Sequence, residues 1–358
     1  MQEPNGCVMH NCGGDIFAHG DNNRWTDNKI GTEDDRLIQT KPVSPIGQYN
    51  FIAAEAMAAR LTREGDPDYS KKSLDAALRC FAWCQTGNAG KNAGELGSAI
   101  EACLELDKTL GEAKYRKHAV EYAKRLLSLQ ITQQIDDRLP VRGFFMTSTG
   151  SPQPYRDIFH GCLHLIGLCD LLASFPDDAD APLWRSAIQM YCQDYLLAIS
   201  EQNSFGIVPF GFYGGEDPGG NRRVGNYWYR FFMEPNRSWW VGINSNLASA
   251  GVGLIKAARI LKEPRLAALA QRQLDWILGV NPFDASTVES VGYNQPKQFV
   301  TSEFRPATPH IPGAVMNGIG GTTDDQPDLK PGAWQTCEYW TPMVCYTMWL
   351  MAEIQRGM

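Results

Sequence analysis

The sequence predicts an all-α fold built from helical hairpins, and three observations carry that prediction. Nine segments repeat apolar residues at the i, i+3, i+4 spacing of amphipathic helices. Four stretches share a turn, an aromatic residue or Leu, a basic residue and an Ala-rich apolar face, each after a short link from another helix. No alternating β pattern longer than a few residues occurs. The nine segments are residues 45–64, 66–86, 92–109, 111–134, 155–174, 181–201, 243–262, 264–279 and 339–356.

Several of these helices have recognisable ends. Asp66 precedes Pro67, which places a capping residue before a proline in the first helical position, and Gly87 follows the same helix. Glu263 and Pro264 restart a helix directly after the previous one. These signals predict hairpins with short turns.

Long irregular segments interrupt the hairpins at residues 135–154, 202–242 and 280–338. Stacked hairpins form either an open solenoid or a closed α/α toroid, and the long segments favour the toroid because loops beyond about 15 residues are usually functional. Several such loops can gather on one face. No linker divides the chain, so a single domain over residues 1–358 is expected.

Composition and charge exclude several function classes. The formal net charge is −7 and no run of Lys or Arg suggests a nucleic-acid surface. No stretch reaches 18 uninterrupted apolar residues, so no membrane span is expected, and the polar N-terminus shows no signal peptide. The ten cysteines lack a disulfide or zinc pattern and are expected to be buried thiols, and neither a metal nor a cofactor is predicted.

One irregular segment has the composition of a sugar-binding loop. Residues 205–246 are rich in aromatic rings, Gly, Asn and Arg, and sugars offer C–H faces to rings and hydroxyls to amides and guanidinium groups. The alternative is that the aromatic rings only pack the loop against helices. The sugar-binding candidates here are Trp228, Tyr229, Arg230, Trp239, Trp240, Asn244 and Asn246.

Two histidines and an arginine form a second group. His160 and His164 are spaced i, i+4 on a predicted helix, with Arg156 one turn earlier. A third metal ligand is absent, so hydrogen-bonded structural histidines are the preferred interpretation. Arg156 and His160 lie near the helix start, where they can still contact a polar ligand.

Two Gly-rich loops and one glutamate complete the candidates. Trp25 lies in a polar loop, where an aromatic ring gains little from packing, and residues 320–332 carry carboxylates without EF-hand spacing, which predicts a solvated, ligand-facing loop. Glu338 lies among Trp334, Tyr339 and Trp340. Burial there would raise its pKa, as a general acid requires, while the alternative is a rim glutamate at the first turn of the last helix.

Several motifs resemble the catalytic domain of glycoside hydrolase family 9, the cellulase family with an (α/α)6 barrel. "RQLDWILGVNPFDASTVESVGYNQP" is similar to the family's helix end and the loop that follows it. "IPGAVMNGIGGTTDDQPD" resembles its Pro-Gly…Gly-Gly segment, and "CEYWTPMVCYTMWLMA" its last helix. The resemblance implies a secreted or periplasmic enzyme that hydrolyses β-linked glucan with inversion.

Position by position, the resemblance places Glu338 at the family's general acid. It implies sugar contacts for Trp25 and for the segment of Trp239, Trp240 and Asn246. With the candidates above, the expected carbohydrate-binding residues are Trp25, Arg156, His160, Tyr229, Trp239, Trp240, Asn246 and Trp340.

The chain also departs from the family pattern. The family's His-His-Arg motif has no counterpart in "QFVTSEF", and Cys337 replaces the Asn before the acid. The Asp-Ala-Gly-Asp motif, which supplies the water-activating base, is absent. Nine helices of the expected twelve suggest a chain that lacks an N-terminal segment of the same protein and is inactive alone.

Two other functions stay open at this point. An unsaturated uronyl hydrolase or sugar epimerase on an α/α toroid would use His160 and Arg156 as its active centre. A non-catalytic helical-repeat protein would instead bind carbohydrate through its aromatic loops.

Overall fold

A computed structural model describes residues 2–10, 41–235, 240–299 and 311–357. These residues contain nine long helical stretches, which confirms the nine predicted ones. None of the described helices is both long and apolar enough to cross a membrane. The α-helices are α1 Pro45–Thr62, α2 Pro67–Trp83, α3 Ala93–Leu110, α4 Ala113–Leu127, α5 Leu163–Ser174, α6 Ala181–Gln189, α7 Ala198–Ser200, α8 Asn244–Leu261, α9 Pro264–Leu278, α10 Trp334–Cys337 and α11 Thr341–Arg356.

The contacts divide the chain into two compact units, and the single domain expected over residues 1–358 stays a prediction. The first unit comprises Met1–Lys91 and Ser98–Tyr122, and the second comprises Asn92–Gly97 and Ala123–Met358. Helix α6 continues through the π-helical segment Met190–Leu197 into α7.

The predicted helix caps are present. The Asp66 carboxylate accepts a hydrogen bond from the Tyr69 N–H at 3.0 Å, and Pro67 occupies the first turn of α2. Glu263 caps α9 in the same way, by accepting from the Arg265 N–H at 3.2 Å. Each cap satisfies a backbone donor that has no partner within its helix.

The buried amide of Gln48 organises the first unit. Its Oε1 accepts from the Val8 N–H at 3.0 Å and its Nε2 donates to the Val8 carbonyl at 2.8 Å, which ties residues 2–10 to α1. The Cys80 thiol on α2 donates to the same Oε1 at 3.2 Å. Eight of the nine described cysteines are buried, as predicted for structural thiols.

Helix α8 is the central helix of the second unit, because its glycines admit both neighbours closely. A Cβ on Gly251 would lie 2.7 Å from Leu350 of α11, and one on Gly253 would lie 2.5 Å from Leu165 of α5. Every residue from Asn244 to Ile255 is buried. The packing therefore fixes the first turn of α8, which carries Asn244 and Asn246.

One predicted helix starts later than expected. Residues 155–162 are irregular, and α5 begins only at Leu163. The Asp157 carboxylate accepts the N–H groups of Phe159 and His160 at 2.8 and 2.7 Å, a local alternative to helical hydrogen bonds. His160 and His164 therefore do not share one helix face, and that prediction is wrong.

A small antiparallel sheet lies within the second unit, where the sequence predicts none. Strands β1 Gly211–Gly214, β2 Arg223–Val224 and β3 Tyr227–Arg230 pair in the order β1-β3-β2. One face, called the inner face, carries Phe212, Tyr229 and Val224, which are all buried. The other, called the outer face, carries the buried Tyr213 and Arg230, the half-buried Trp228 and the exposed Arg223. The strands have two to four residues each, which is too short for an alternation of apolar and polar residues to be recognised in the sequence. Strands β4 Gly320–Gly321 and β5 Pro327–Asp328 form a second pair.

A buried ion pair joins this sheet to the loop between β4 and β5. Asp325 lies 3.6 Å from Arg230, and both side chains are fully buried. Asp325 also accepts from Arg222 at 2.9 Å and from the Phe231 N–H, while Arg230 donates to the Thr322 and Thr323 carbonyls. The expectation of a solvated loop is therefore wrong at Asp325, whose carboxylate holds the loop on the sheet.

We expect Asp325→Asn to destabilise the protein by about 3 kcal/mol, because it leaves Arg230 buried without its counter-charge. Asn tolerates the positive φ of 57° at this position, so backbone strain does not contribute. Urea unfolding measures the effect, with the exposed neighbour Asp324→Asn as control. Equal stability of the two variants would contradict a structural role for the ion pair.

His164 is a buried imidazole surrounded by rings. Phe145, Tyr155 and Tyr191 lie 4.9, 5.2 and 4.7 Å from it between ring centres, all edge-on. Neither ring nitrogen has a hydrogen-bond partner among the described residues, so His164 is structural but not hydrogen-bonded as expected. Burial lowers the pKa of His164 to about 3, and the side chain stays neutral in the folded protein.

This neutral histidine makes stability depend on pH. Below pH 6.5 the unfolded chain takes up a proton at His164, while the folded chain does not until about pH 3. The contribution of His164 to the free energy of unfolding is therefore fully present above pH 6.5 and is lost as the pH drops. At pH 5 the loss from this residue is about 2 kcal/mol. Between pH 7 and 4, the urea midpoint of the His164→Phe variant should change less with pH than that of the unmodified protein. An equal pH dependence of the two midpoints would refute the assignment.

Candidate functional site

Glu338 directly follows α10 in extended backbone. Its carbonyl accepts from the Asn317 N–H at 2.9 Å, and its Oε2 accepts from the Trp340 indole N–H at 2.8 Å. The side chain is half-buried, which lies between the buried acid and the rim glutamate that the sequence left open. The indole therefore orients one carboxylate oxygen while the group keeps access to solvent.

Tyr339, the residue after Glu338, is hydrogen-bonded to a different carboxylate, that of Glu289. The Tyr339 hydroxyl donates to Oε2 of the buried Glu289 at 2.6 Å. Burial, together with the Glu289 carboxylate, raises the pKa of Tyr339, which stays a hydrogen-bond donor. Glu289 was missed from the sequence, because a single Glu in an irregular loop carries no periodic or motif signal.

Aromatic rings line the neighbourhood of Glu338. Trp334 and Trp340 stack with ring centres 6.0 Å apart and planes within 11°. Phe159 lies 5.6 Å from Trp340, between ring centres, in a tilted arrangement. Trp334, Trp340 and Phe159 are half-buried, and we call them the aromatic floor. Trp334 was not among the predicted sugar-binding residues.

The irregular segment 155–162 is held against the start of α8. The Ser245 hydroxyl donates to the Phe159 carbonyl at 2.7 Å, and the Asn246 amide donates to the Asp157 carbonyl at 3.3 Å. A side chain at Gly161 would collide with the Asn246 amide, so glycine is required there. Asn246 is thus buried and supports the loop, and its predicted contact with sugar stays a prediction.

His160 extends the site toward α11. Its Nδ1 lies 3.1 Å from the Tyr346 hydroxyl, whose ring stacks on Trp349 at 6.2 Å between ring centres. Burial lowers the pKa of His160 below its ordinary value, and the Asp157 carboxylate partly offsets this effect. A neutral, half-buried imidazole of this kind can exchange hydrogen bonds with sugar hydroxyls.

The structure brings Glu338, Trp340, His160 and Asn246 together through the contacts above, with Arg156 on the same loop. Tyr229 instead lies on the inner face of the sheet, 6.0 Å from Phe212 between ring centres, and is buried. Trp240 is also buried, under Lys330, whose Nζ lies 4.8 Å from the indole centre. Two further predicted positions, Trp25 and Trp239, lie outside the described residues.

Metal binding has no visible basis in the described ranges. No group of three His, Cys, Asp or Glu side chains there is arranged to hold an ion. The described side chains at this site offer a carboxyl group, an imidazole and aromatic rings.

Comparison with known proteins identifies the setting of this site. The model for glycosyl hydrolase family 9 matches residues 1–344. A cellodextrinase of Butyrivibrio fibrisolvens is 24% identical over 372 aligned positions, which cover 97% of this chain and 57% of the relative.

Solved structures agree at the level of the fold. A metagenome-derived family 9 endoglucanase superposes with a TM-score of 0.63 at 18% identity, over 100% of this chain and 59% of that one. A mutant thermostable endoglucanase from Alicyclobacillus acidocaldarius gives 0.62 at 17% identity, over 100% and 63%. The cellulase Cel9M of C. cellulolyticum in complex with cellobiose gives 0.55 at 15% identity, over 88% and 65%.

These comparisons confirm the predicted α/α-toroid fold and the predicted family. The chain spans less than two thirds of the length of each of these proteins. The family match covers nearly the whole chain, including Glu338 and the loop of Arg156 and His160. The chain belongs to glycosyl hydrolase family 9.

Proposed function

We propose that this chain carries the general acid, Glu338, of a glycoside hydrolase that cleaves β-linked glucan or a related oligosaccharide with inversion. The observation that supports this most is the half-buried Glu338 carboxylate, oriented by the Trp340 indole beside the aromatic floor. Relatives named cellodextrinase and endoglucanase favour a β-glucan substrate.

In the proposed mechanism a sugar ring stacks on the aromatic floor next to Glu338. Trp340 holds Oε2, which leaves Oε1 to carry the proton. That proton passes to the glycosidic oxygen as the C–O bond breaks, while a second carboxylate activates water on the opposite face of the sugar. Inverting enzymes keep the two carboxyl groups about 6.5–9.5 Å apart to admit this water.

The second carboxylate is the incomplete part of the proposal. The Asp-Ala-Gly-Asp motif is absent from the sequence. Asp157, the carboxylate on the neighbouring loop, already accepts two backbone N–H groups. We therefore expect the 358-residue chain to bind β-glucan but to hydrolyse it only when that carboxylate is supplied from elsewhere, such as a further segment of the same protein.

Azide provides a test, because a small anion can replace a missing base in an inverting enzyme. With cellotetraose and azide, we expect Glu338 to protonate the leaving oxygen while azide forms the C–N bond on the opposite face. The product is an α-glycosyl azide, detected by NMR and mass spectrometry. The reaction should be lost in Glu338→Gln, with binding of cellotetraose retained.

Each outcome separates the possibilities. Hydrolysis without azide that disappears in Glu338→Gln would refute the expected inactivity but support the acid. A reaction unaffected by Glu338→Gln and lost in His160→Ala would favour the uronyl hydrolase or epimerase interpretation instead. Failure to bind any β-linked oligosaccharide would overturn the proposed function.

Trp340→Phe tests how Glu338 is oriented. Phe keeps a ring beside Trp334 but removes the N–H donated to Glu338. We expect the azide reaction to slow by about tenfold, since one oriented hydrogen bond to a charged group contributes about 1.5–3 kcal/mol. The affinity for cellotetraose should change less than threefold. Trp349→Phe, on the far side of Tyr346, serves as control, and equal effects of the two would contradict the assignment.

A further inference from the structure

The outer face of the three-stranded sheet carries an unusual row of side chains. Tyr213 of β1 pairs with Trp228 of β3, which pairs in turn with Arg223 of β2. Cross-strand partners lie on one face, so these three side chains form a line across the sheet. Arg156 extends that line by lying over the Tyr213 ring, 3.8 Å from guanidinium carbon to ring centre.

Arg156 is held in place by the sheet. Its Nη1 donates to the Phe212 carbonyl at 3.2 Å. Gly211 creates the space, because a Cβ there would lie 2.8 Å from the Arg156 Cβ. The guanidinium group is thus pre-organised while four of its five N–H donors are not used by that bond.

Arg223 and Trp228 form the other end of the row. The Arg223 guanidinium carbon lies 5.7 Å from the Trp228 ring centre, and its Nε donates to the Gly225 carbonyl at 3.0 Å. The Trp228 indole N–H is bonded to the Gly215 carbonyl at 3.0 Å, which fixes its ring. Arg223 is exposed and Trp228 is half-buried.

The charges in this row are not neutralised. Within the part of the chain that the structure describes, neither Arg156 nor Arg223 forms an ion pair, whereas Arg222 and Arg230 of the same sheet both contact Asp325. At the Arg156 end, the Glu234 carboxylate accepts a hydrogen bond from the Tyr213 hydroxyl. Two unpaired guanidinium groups on a chain of net charge −7 are a feature that favours an anionic ligand.

We propose that this row, Arg156, Trp228 and Arg223, binds a carboxylated glycan such as one that contains uronic acid. The Trp228 ring stacks on a sugar face, and the two guanidinium groups bind carboxylates on either side of it. Tyr213 and Arg223 lie two strand spacings apart, about 9–10 Å, which separates the two charges along an extended chain. The carbohydrate class rests on the proposed function, and the acidic class rests on the two arginines.

The row is continuous with the candidate active site. Arg156 directly precedes Asp157, whose carboxylate caps the turn that carries Phe159 of the aromatic floor and His160. A glycan bound along the row therefore reaches the loop that carries Phe159 and His160. The sheet serves as a subsite that selects acidic or acid-substituted chains.

Binding of two matched oligosaccharides tests this proposal. One is a β-1,4-linked tetrasaccharide of alternating glucose and glucuronic acid, and the other is the same compound with its carboxyl groups reduced to alcohols. Calorimetry at low salt should show the acidic compound binding about tenfold more tightly, and less so in 0.5 M salt. The double variant Arg156→Gln, Arg223→Gln should reduce that ratio to about twofold or less.

Further variants separate charge from stacking and from folding. Trp228→Ala should weaken both compounds by a similar factor, and Arg265→Gln, an exposed arginine paired with Glu263, should change neither. Circular dichroism verifies the fold of each variant, and Arg223→Gln alone, at an exposed position, still tests the charge if Arg156→Gln does not fold. Equal affinity for the acidic and reduced compounds, or an unchanged ratio in the arginine variants, would overturn the proposal. Because no turnover is measured, a failure of hydrolysis leaves this test intact.

Discussion

The Asp157 carboxylate holds the backbone turn on which the candidate site depends. By accepting the N–H groups of Phe159 and His160, it delays the start of α5 to Leu163 and keeps the preceding residues in an irregular segment. The turn places Phe159 against Trp340. A regular helix here would have directed these side chains along its own face, away from Trp340 and Tyr346, which they now contact.

Hydrogen bonds between side chains and backbone groups hold several loops of the second unit in place. Asp325 fastens the loop between β4 and β5 to the sheet through buried N–H groups and two arginines. Asn246 and Ser245 fasten the Asp157 turn to α8. A buried polar group that loses one of its hydrogen-bond partners costs free energy, so these bonds couple the loops to the helices.

Helices and site chemistry differed in how well the sequence predicted them. Periodicity and caps such as Asp66 gave all nine long helical stretches, because each signal repeats along the chain. The Asp157 turn, the short strands and the pairing of Glu289 with Tyr339 depend on single contacts between distant residues, which leave no periodic trace. Family resemblance led to Glu338, yet only the structure distinguished the buried ring of Tyr229 from Trp228 and Arg223 on the other face, which keep access to solvent.

The two glycines of α8 also limit which residues of the second unit can change. Gly251 and Gly253 let α8 approach α11 and α5 so closely that a side chain at either position would collide with Leu350 or Leu165. Substitutions in such closely packed helices cost stability, whereas surface loops tolerate them. We therefore expect sequence differences among related chains to accumulate in the sheet and its loops, while the packed helices keep small residues at these two positions.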